Sequence, residues 1–317
     1  MSLRIRPSGP PSVDAAGPAG GPAIRVRGLT KVFGSTAAVD GLDLDVPPGE
    51  VFGFLGPNGA GKSTTIRLLL GLLRPTAGRA WIFGVDARDV ARAHRHLAYV
   101  PADVALWPAL TGAEILELAA RLGSGVDVGY RAELVERFAL DVDRRGRTYS
   151  SGNRQKVALV AAFASRARLL VMDEPTSGLD PLMEREFRAC VAEARERGQT
   201  VFLSSHKLAE VEAVCDRVGI LRAGRLVEVA GLAELRRLRR REVEVSFAGA
   251  PAGLDGLADL PGVASLSWPA PDRLLVSLTG APGPALRRIA AADVVGLSVR
   301  EPSLEEIFLE YYGGAER

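Results

Sequence analysis

Residues Gly56-Pro57-Asn58-Gly59-Ala60-Gly61-Lys62-Ser63-Thr64 place their glycines, a lysine and a serine at the spacing G-x-x-x-x-G-K-S. A strand-like run precedes them, Val51-Phe52-Gly53-Phe54-Leu55, and a helical run follows, Thr65-Ile66-Arg67-Leu68-Leu69-Leu70. This order constrains the fold more than any other feature, because strand, loop and helix together separate a phosphate-cradling loop from a chance match. Glycines let the backbone curl so that successive N–H groups point inward at the β- and γ-phosphates of a nucleotide. Lys62 brings a cation to those phosphates, Ser63 offers a hydroxyl to Mg²⁺, and the following helix directs its positive end at the anion. A purely structural glycine turn needs no Lys-Ser pair. The pattern predicts binding of a nucleoside triphosphate.

The remaining bulk properties narrow the class. A chain of 317 residues suits about two domains of ordinary size. Its composition, 47% apolar and 25% charged, is that of a soluble globular protein. A net charge of +2 argues against a general nucleic-acid binder, and no nucleic-acid partner is expected. Cys190 and Cys215 are too few for a disulfide framework and lack metal-ligand spacing, which points to a reduced cytosolic compartment. No apolar stretch reaches the ~18 residues of a membrane-spanning helix. Residues 1–23 are dense in Pro, Gly and Ala without an apolar signal-peptide core, and read as a disordered leader.

Strand-like alternation opens at Ile24-Arg25-Val26-Arg27 and returns at Leu42-Asp43-Leu44-Asp45-Val46. Helical spacing spans residues 111–122, led by the capping pair Thr111 and Glu114, and returns over 131–140. Strands resume at 169–172 and 201–203, each preceded by a helix-like segment. Strands alternating with helices indicate an α/β domain with a largely parallel sheet, into which a helical stretch of about 86–165 is inserted. This first domain runs over residues 24–230. At 231–241 five arginines crowd a short run, which reads as a solvated linker or as a lipid- or nucleic-acid-facing patch. Residues 242–317 then follow a strand, helix, strand, strand, helix, strand order, with expected helices at 252–260 and 284–291. That order is the ferredoxin-like α+β arrangement. A last helix is expected from Ser303, capped by Ser303 and Glu306.

Leu169-Leu170-Val171-Met172-Asp173-Glu174-Pro175 is an apolar strand ending in two carboxylates. Beside a phosphate loop, Asp173 can hold Mg²⁺ through water, and Glu174 can deprotonate the attacking water. With these residues in view, residues 24–228 resemble the ATP-binding subunit of an ABC transporter, a P-loop NTPase fold with an inserted helical subdomain. Tyr149-Ser150-Ser151-Gly152-Asn153-Arg154-Gln155-Lys156 stands where that family has its Leu-Ser-Gly-Gly-Gln signature. Ser177-Gly178-Leu179-Asp180 matches the D-loop, His206 the switch histidine, and Phe33 the slot of the aromatic that stacks on adenine. The resemblance implies ATP and Mg²⁺ as ligands and a head-to-tail dimer, homo- or heteromeric, with ATP between one chain's P-loop and its partner's signature. It also implies ATP hydrolysis driving a separate transmembrane permease, at the inner face of the cell membrane. Glu301-Pro302-Ser303-Leu304-Glu305-Glu306-Ile307-Phe308 resembles the tail of subunits that drive drug and polysaccharide exporters.

Two departures from the family pattern stand out. Ser151 and Asn153 replace the signature's first glycine and its glutamine, and Ala102 falls on the usual glutamine of the loop after Tyr99-Val100-Pro101. Alanine can neither ligate a metal nor position water. A one-residue shift would put Asp103 in that role, or a second water would fill the place. Two rivals of other classes are an ABC ATPase acting on nucleic acid and a GTPase switch. The chain lacks the zinc-binding cysteines or long coiled coil of the first and the Asn-Lys-x-Asp of the second.

Overall fold

The computed structural model describes residues 21–232, 241–279 and 282–300. The tail helix expected from Ser303, the leader up to residue 20 and most of the arginine run lie outside the described residues.

The strands β1 (Ile24–Phe33), β2 (Thr36–Val46), β4 (Ala77–Ile82) and β5 (Val85–Asp86) form an antiparallel sheet in the order β2-β1-β4-β5. The central sheet has the order β10-β9-β3-β8-β7-β6. Its strands are β3 (Val51–Leu55), β6 (Leu97–Val100), β7 (Leu169–Asp173), β8 (Thr200–Ser205), β9 (Arg217–Arg222) and β10 (Arg225–Gly231). Every pairing in it is parallel except that of β9 with β10.

Both faces of β3 are covered, which is why it reads as an unbroken apolar run rather than an alternation. Val51 and Leu55 join one core cluster, and Phe52 and Phe54 the other. The period of two along a strand sends alternate residues to opposite faces. β7 is divided the same way, Leu170 and Met172 against Leu169 and Val171. Phe202 of β8 stacks on Phe52 at 5.8 Å between ring centroids.

Seven helices lie along the first part of the chain among the described residues: α1 (Lys62–Leu69), α2 (Val90–Ala93), α3 (Gly112–Leu122), α4 (Val128–Arg137), α5 (Ser151–Phe163), α6 (Pro181–Glu196) and α7 (Leu208–Val214). The Thr111–Glu114 capping box forms as expected at the start of α3. The inserted helical stretch is narrower than 86–165. Leu97–Val100 pairs with β7 as an edge strand of the central sheet, so the insertion's helices begin only after it. A four-residue apolar strand carries too little period to be told from a helical turn.

Beyond the arginine run, β11 (Arg241–Phe247), β12 (Val263–Ala270), β13 (Arg273–Leu278) and β14 (Val294–Arg300) form an antiparallel sheet in the order β12-β13-β11-β14. That is the ferredoxin-like strand order, with its own apolar core around Val243, Val245, Leu274 and Val276. The second expected helix is present at Gly283–Ile289. The first, expected over 252–260, is reduced to a single 3₁₀ turn at Leu257–Asp259. Gly253 and Gly256 both adopt positive φ there, which ends any helix before it can extend.

Candidate nucleotide site

The carboxyl ends of β3, β7 and β8 meet the N-terminus of α1, the place where an open α/β sheet binds its ligand. A cleft of about 310 Å³ opens there, lined by the loop residues Pro57, Asn58, Gly59, Gly61, Lys62, Ser63 and Thr64 with Ala38, Glu174, Ser177 and His206. The loop's shape depends on glycine at Gly61. Its φ is +107°, and a Cβ there would lie 2.3 Å from the Ala38 carbonyl oxygen. Gly56 and the buried Ala60 form the floor of the loop, and Ala60 N donates to the Pro57 carbonyl at 3.1 Å.

Lys62 is only 5% exposed, so its charge must be met by the protein. Its Nζ donates to the Gly56 carbonyl at 2.7 Å and the Pro57 carbonyl at 3.3 Å. It also lies 3.3 Å from Glu174 Oε1. The other oxygen, Glu174 Oε2, is 2.6 Å from His206 Nδ1. One carboxylate, just past the end of β7, thus stands between the first residue of α1 and a histidine just past the end of β8. Glu174 itself adopts φ +49°, a left-handed conformation uncommon for a non-glycine residue and frequent where a functional side chain is held by its surroundings.

Asp173, the residue before, is buried, and Ser204 Oγ donates to its Oδ1 at 2.5 Å. Ser204 also receives the Glu174 amide, at 3.1 Å to its carbonyl and 3.2 Å to its hydroxyl. Sequence reasoning missed Ser204. The signal available was Ser204-Ser205 immediately before His206, at the end of a strand adjacent to the carboxylate strand. Burial beside Asp173 pushes the Tyr99 phenol up to about 12.

The Ser63 hydroxyl and the Asp173 carboxylate are hard oxygen donors of the kind Mg²⁺ takes. Among the described residues no group of three or more His, Cys, Asp or Glu could hold a metal. That sparse set fits Mg²⁺, which keeps waters and substrate phosphate oxygens around one or two protein ligands.

The other expected residues fall outside this cleft. Phe33, at the end of β1, is 49% exposed, with Lys31 Nζ 4.9 Å from its ring centroid. Ser150 caps α5, accepting from Asn153 N at 3.3 Å. Ser151 is exposed, and Gly152 packs so closely that a Cβ would lie 2.6 Å from the Gly178 carbonyl oxygen. Asp180 caps α6, its Oδ1 accepting from Leu182 N and Met183 N at 3.0 Å each. Gln155, not singled out beforehand, donates from Nε2 to the Pro175 carbonyl at 2.8 Å and ties α5 to the loop after Glu174. Ala102 and Asp103 are exposed and are not among the lining residues of the cleft.

Residues 39–177 match the family described as "ABC transporter". The chain is 36% identical to the daunorubicin resistance ATP-binding protein DrrA3 of Streptomyces coeruleorubidus, over 93% of this chain and 97% of that one. It is 33% identical to a fluoroquinolones export ATP-binding protein of Mycobacterium tuberculosis, over 92% and 93% of the two chains. Among solved structures, the post-hydrolysis dimer of the ATP-binding cassette MJ0796 with ADP and Pi superposes with a TM-score of 0.60. That match is 24% identical over 66% of this chain and 98% of the other, a likeness of fold. Phosphate loop, paired carboxylates and near full-length relatives agree: the chain belongs to the ATP-binding subunits of ABC transporters and is an ATPase.

Proposed function

We propose that the chain is the motor of an exporter, binding ATP with Mg²⁺ and hydrolysing it to drive a separate membrane-embedded permease. The observation that carries this reading is the Glu174 carboxylate, held at 3.3 Å from Lys62 Nζ and 2.6 Å from His206 Nδ1 inside the phosphate-loop cleft. Lys62 and the loop amides of residues 58–64 bind the phosphates. Ser63 and Asp173 would hold Mg²⁺, which supplies charge neutralisation on the phosphate oxygens when bound. The γ-phosphate competes with Glu174 for Lys62, leaving the carboxylate against His206 and facing the cleft. Glu174 then takes the proton from the attacking water, and His206 keeps the carboxylate aimed. Phe33 offers its exposed ring to the adenine.

The signature residues Ser150, Ser151, Gly152 and Asn153 stand at a helix N-terminus outside this chain's own cleft, with Asp180 at the next helix. An exposed N-terminus with small residues is suited to a phosphate delivered by a second ATP-binding chain. The dimeric MJ0796 structure supports such an arrangement, with a second copy or a related ATPase as partner. Export is supported by the fluoroquinolones export relative. No helix among the described residues is long and apolar enough to cross a membrane. In this reading the permease carries the pathway and holds this subunit peripherally at the cytoplasmic face. Affinity capture from detergent-solubilised membranes is expected to bring down a multi-span membrane protein whose presence stimulates ATP turnover. Capture of nucleic acid or ribosomes in its place overturns the reading.

A further inference from the structure

Outside the cleft, a buried carboxyl underlies the turn that carries His206. Glu210, in α7, is 6% exposed, and its Oε1 has no hydrogen-bond partner among the described residues. Its Oε2 accepts from Ser205 Oγ at 2.8 Å. The same Ser205 hydroxyl accepts from Lys207 N at 2.9 Å. The residues on either side of His206 are therefore gathered on one hydroxyl, and that hydroxyl on one carboxyl. Burial pushes the Glu210 carboxyl up, and the Ser205 hydroxyl opposes that shift.

The base under this carboxyl is firm. Gly53 of β3 packs against α7 so closely that a Cβ would lie 2.5 Å from Val211 Cγ1 and 2.9 Å from Cys215 Sγ. The backbone that carries Glu210 is therefore seated directly on the central sheet. Stability alone does not account for a glutamate here, because burying a carboxyl costs more than burying an apolar side chain of similar size.

We propose that Glu210 is a positioning residue for hydrolysis, fixing the turn at 205–207 so that His206 stays in register with Glu174. The contact it preserves is the 2.6 Å approach of His206 Nδ1 to Glu174 Oε2. The inference rests on the reading of Glu174 and His206 as the hydrolytic pair.

The test compares Glu210→Leu, Glu210→Gln and Ser205→Ala in the full chain. Misplacing a catalytic contact by about 1 Å costs on the order of 100-fold, so Glu210→Leu is expected to lower kcat about 10- to 100-fold. The KM for ATP should stay within about twofold, since the phosphate loop is untouched. Glu210→Gln keeps an oxygen that accepts from Ser205 and should restore most of the turnover. The chain has three histidines, His94, His96 and His206. Imidazole NMR signals should therefore show His206 moving in Glu210→Leu while His94 and His96 stay in place. Should Glu210→Leu not fold, Ser205→Ala decides, because it cuts the same link and must reproduce both the kcat loss and the His206 shift. Wild-type kcat, or a kcat loss with the His206 signal unmoved, overturns the proposal. Glu174→Gln measured alongside separates the two failures: full turnover there removes the hydrolytic reading, while the His206 signal still reports on Glu210.

Discussion

At the N-terminus of α1 the lysine of the glycine loop is enclosed: Lys62 is met by two carbonyls and by Glu174, and Glu174 by His206. At the N-terminus of α5 the small residues of the signature are open, Ser150 and Ser151 exposed and Ser150 spending its hydroxyl on the cap. Both are helix starts suited to an anion. Only the first has a lysine, a carboxylate and a histidine in mutual contact around it. In the proposed function, the first supplies this chain's own hydrolytic groups and the second is half of a phosphate site completed by another chain. The link between the two runs through Gln155 to Pro175 and through the tight contact of Gly152 with the Gly178 carbonyl.

The comparison breaks most sharply at Glu174. General-base catalysis contributes about 10²- to 10⁴-fold, so Glu174→Gln should all but abolish turnover while keeping ATP affinity and trapping an ATP-bound dimer. Size-exclusion with light scattering, read beside phosphate release, checks both halves; full ATPase activity in that variant would remove Glu174 from its role. Next comes Lys62→Ala. Charged hydrogen bonds are worth about 1.5–3 kcal/mol each, so ATP affinity of the isolated chain should fall by at least tenfold in a direct binding titration. Equal affinity to wild type would mean that the backbone amides alone bind the phosphates. The smallest effect belongs to the open helix. Loss of an N-cap costs about 0.5–2 kcal/mol, so Ser150→Ala should lower the melting temperature slightly and reduce turnover several-fold. Its affinity for ATP as a single chain should be unchanged. A loss of single-chain affinity comparable with that of Lys62→Ala would erase the distinction between the two helix N-termini.

Much of the catalytic part was legible because its chemistry is local in sequence. A glycine loop between an apolar strand and a helix, and two carboxylates ending another apolar strand, carry their meaning within about ten residues each. The antiparallel sheet of β1, β2, β4 and β5 was not legible as a sheet. Its pairings join residues far apart, such as Ile24 with both Val46 and Ile82, and nothing in a single strand names its partners. The edge strand β6 was absorbed into the helical insertion because four apolar residues carry too little period to be told from a helical turn. In the C-terminal sheet the strand spacing foretold the ferredoxin-like order, yet the helix expected over 252–260 became a 3₁₀ turn, because the apolar spacing outweighed Gly253 and Gly256 in the reading.

The sequence by itself determined that the chain binds a nucleotide, which strand ends carry the carboxylates, and that a signature-like helix start exists apart from the phosphate loop. Those features are runs of consecutive residues whose spacing dictates backbone shape and donor placement. The tertiary structure decided which groups meet. It placed Ser204 on Asp173, His206 and Lys62 on the two oxygens of Glu174, Gln155 on Pro175, and the Glu210 carboxyl under the turn of His206. These contacts join residues separated in the chain, and the order of parallel strands in the central sheet brings their ends to one edge. Side chains at such an edge are set by which strand lies beside which, and strand order is a property of the packed sheet rather than of any segment in it.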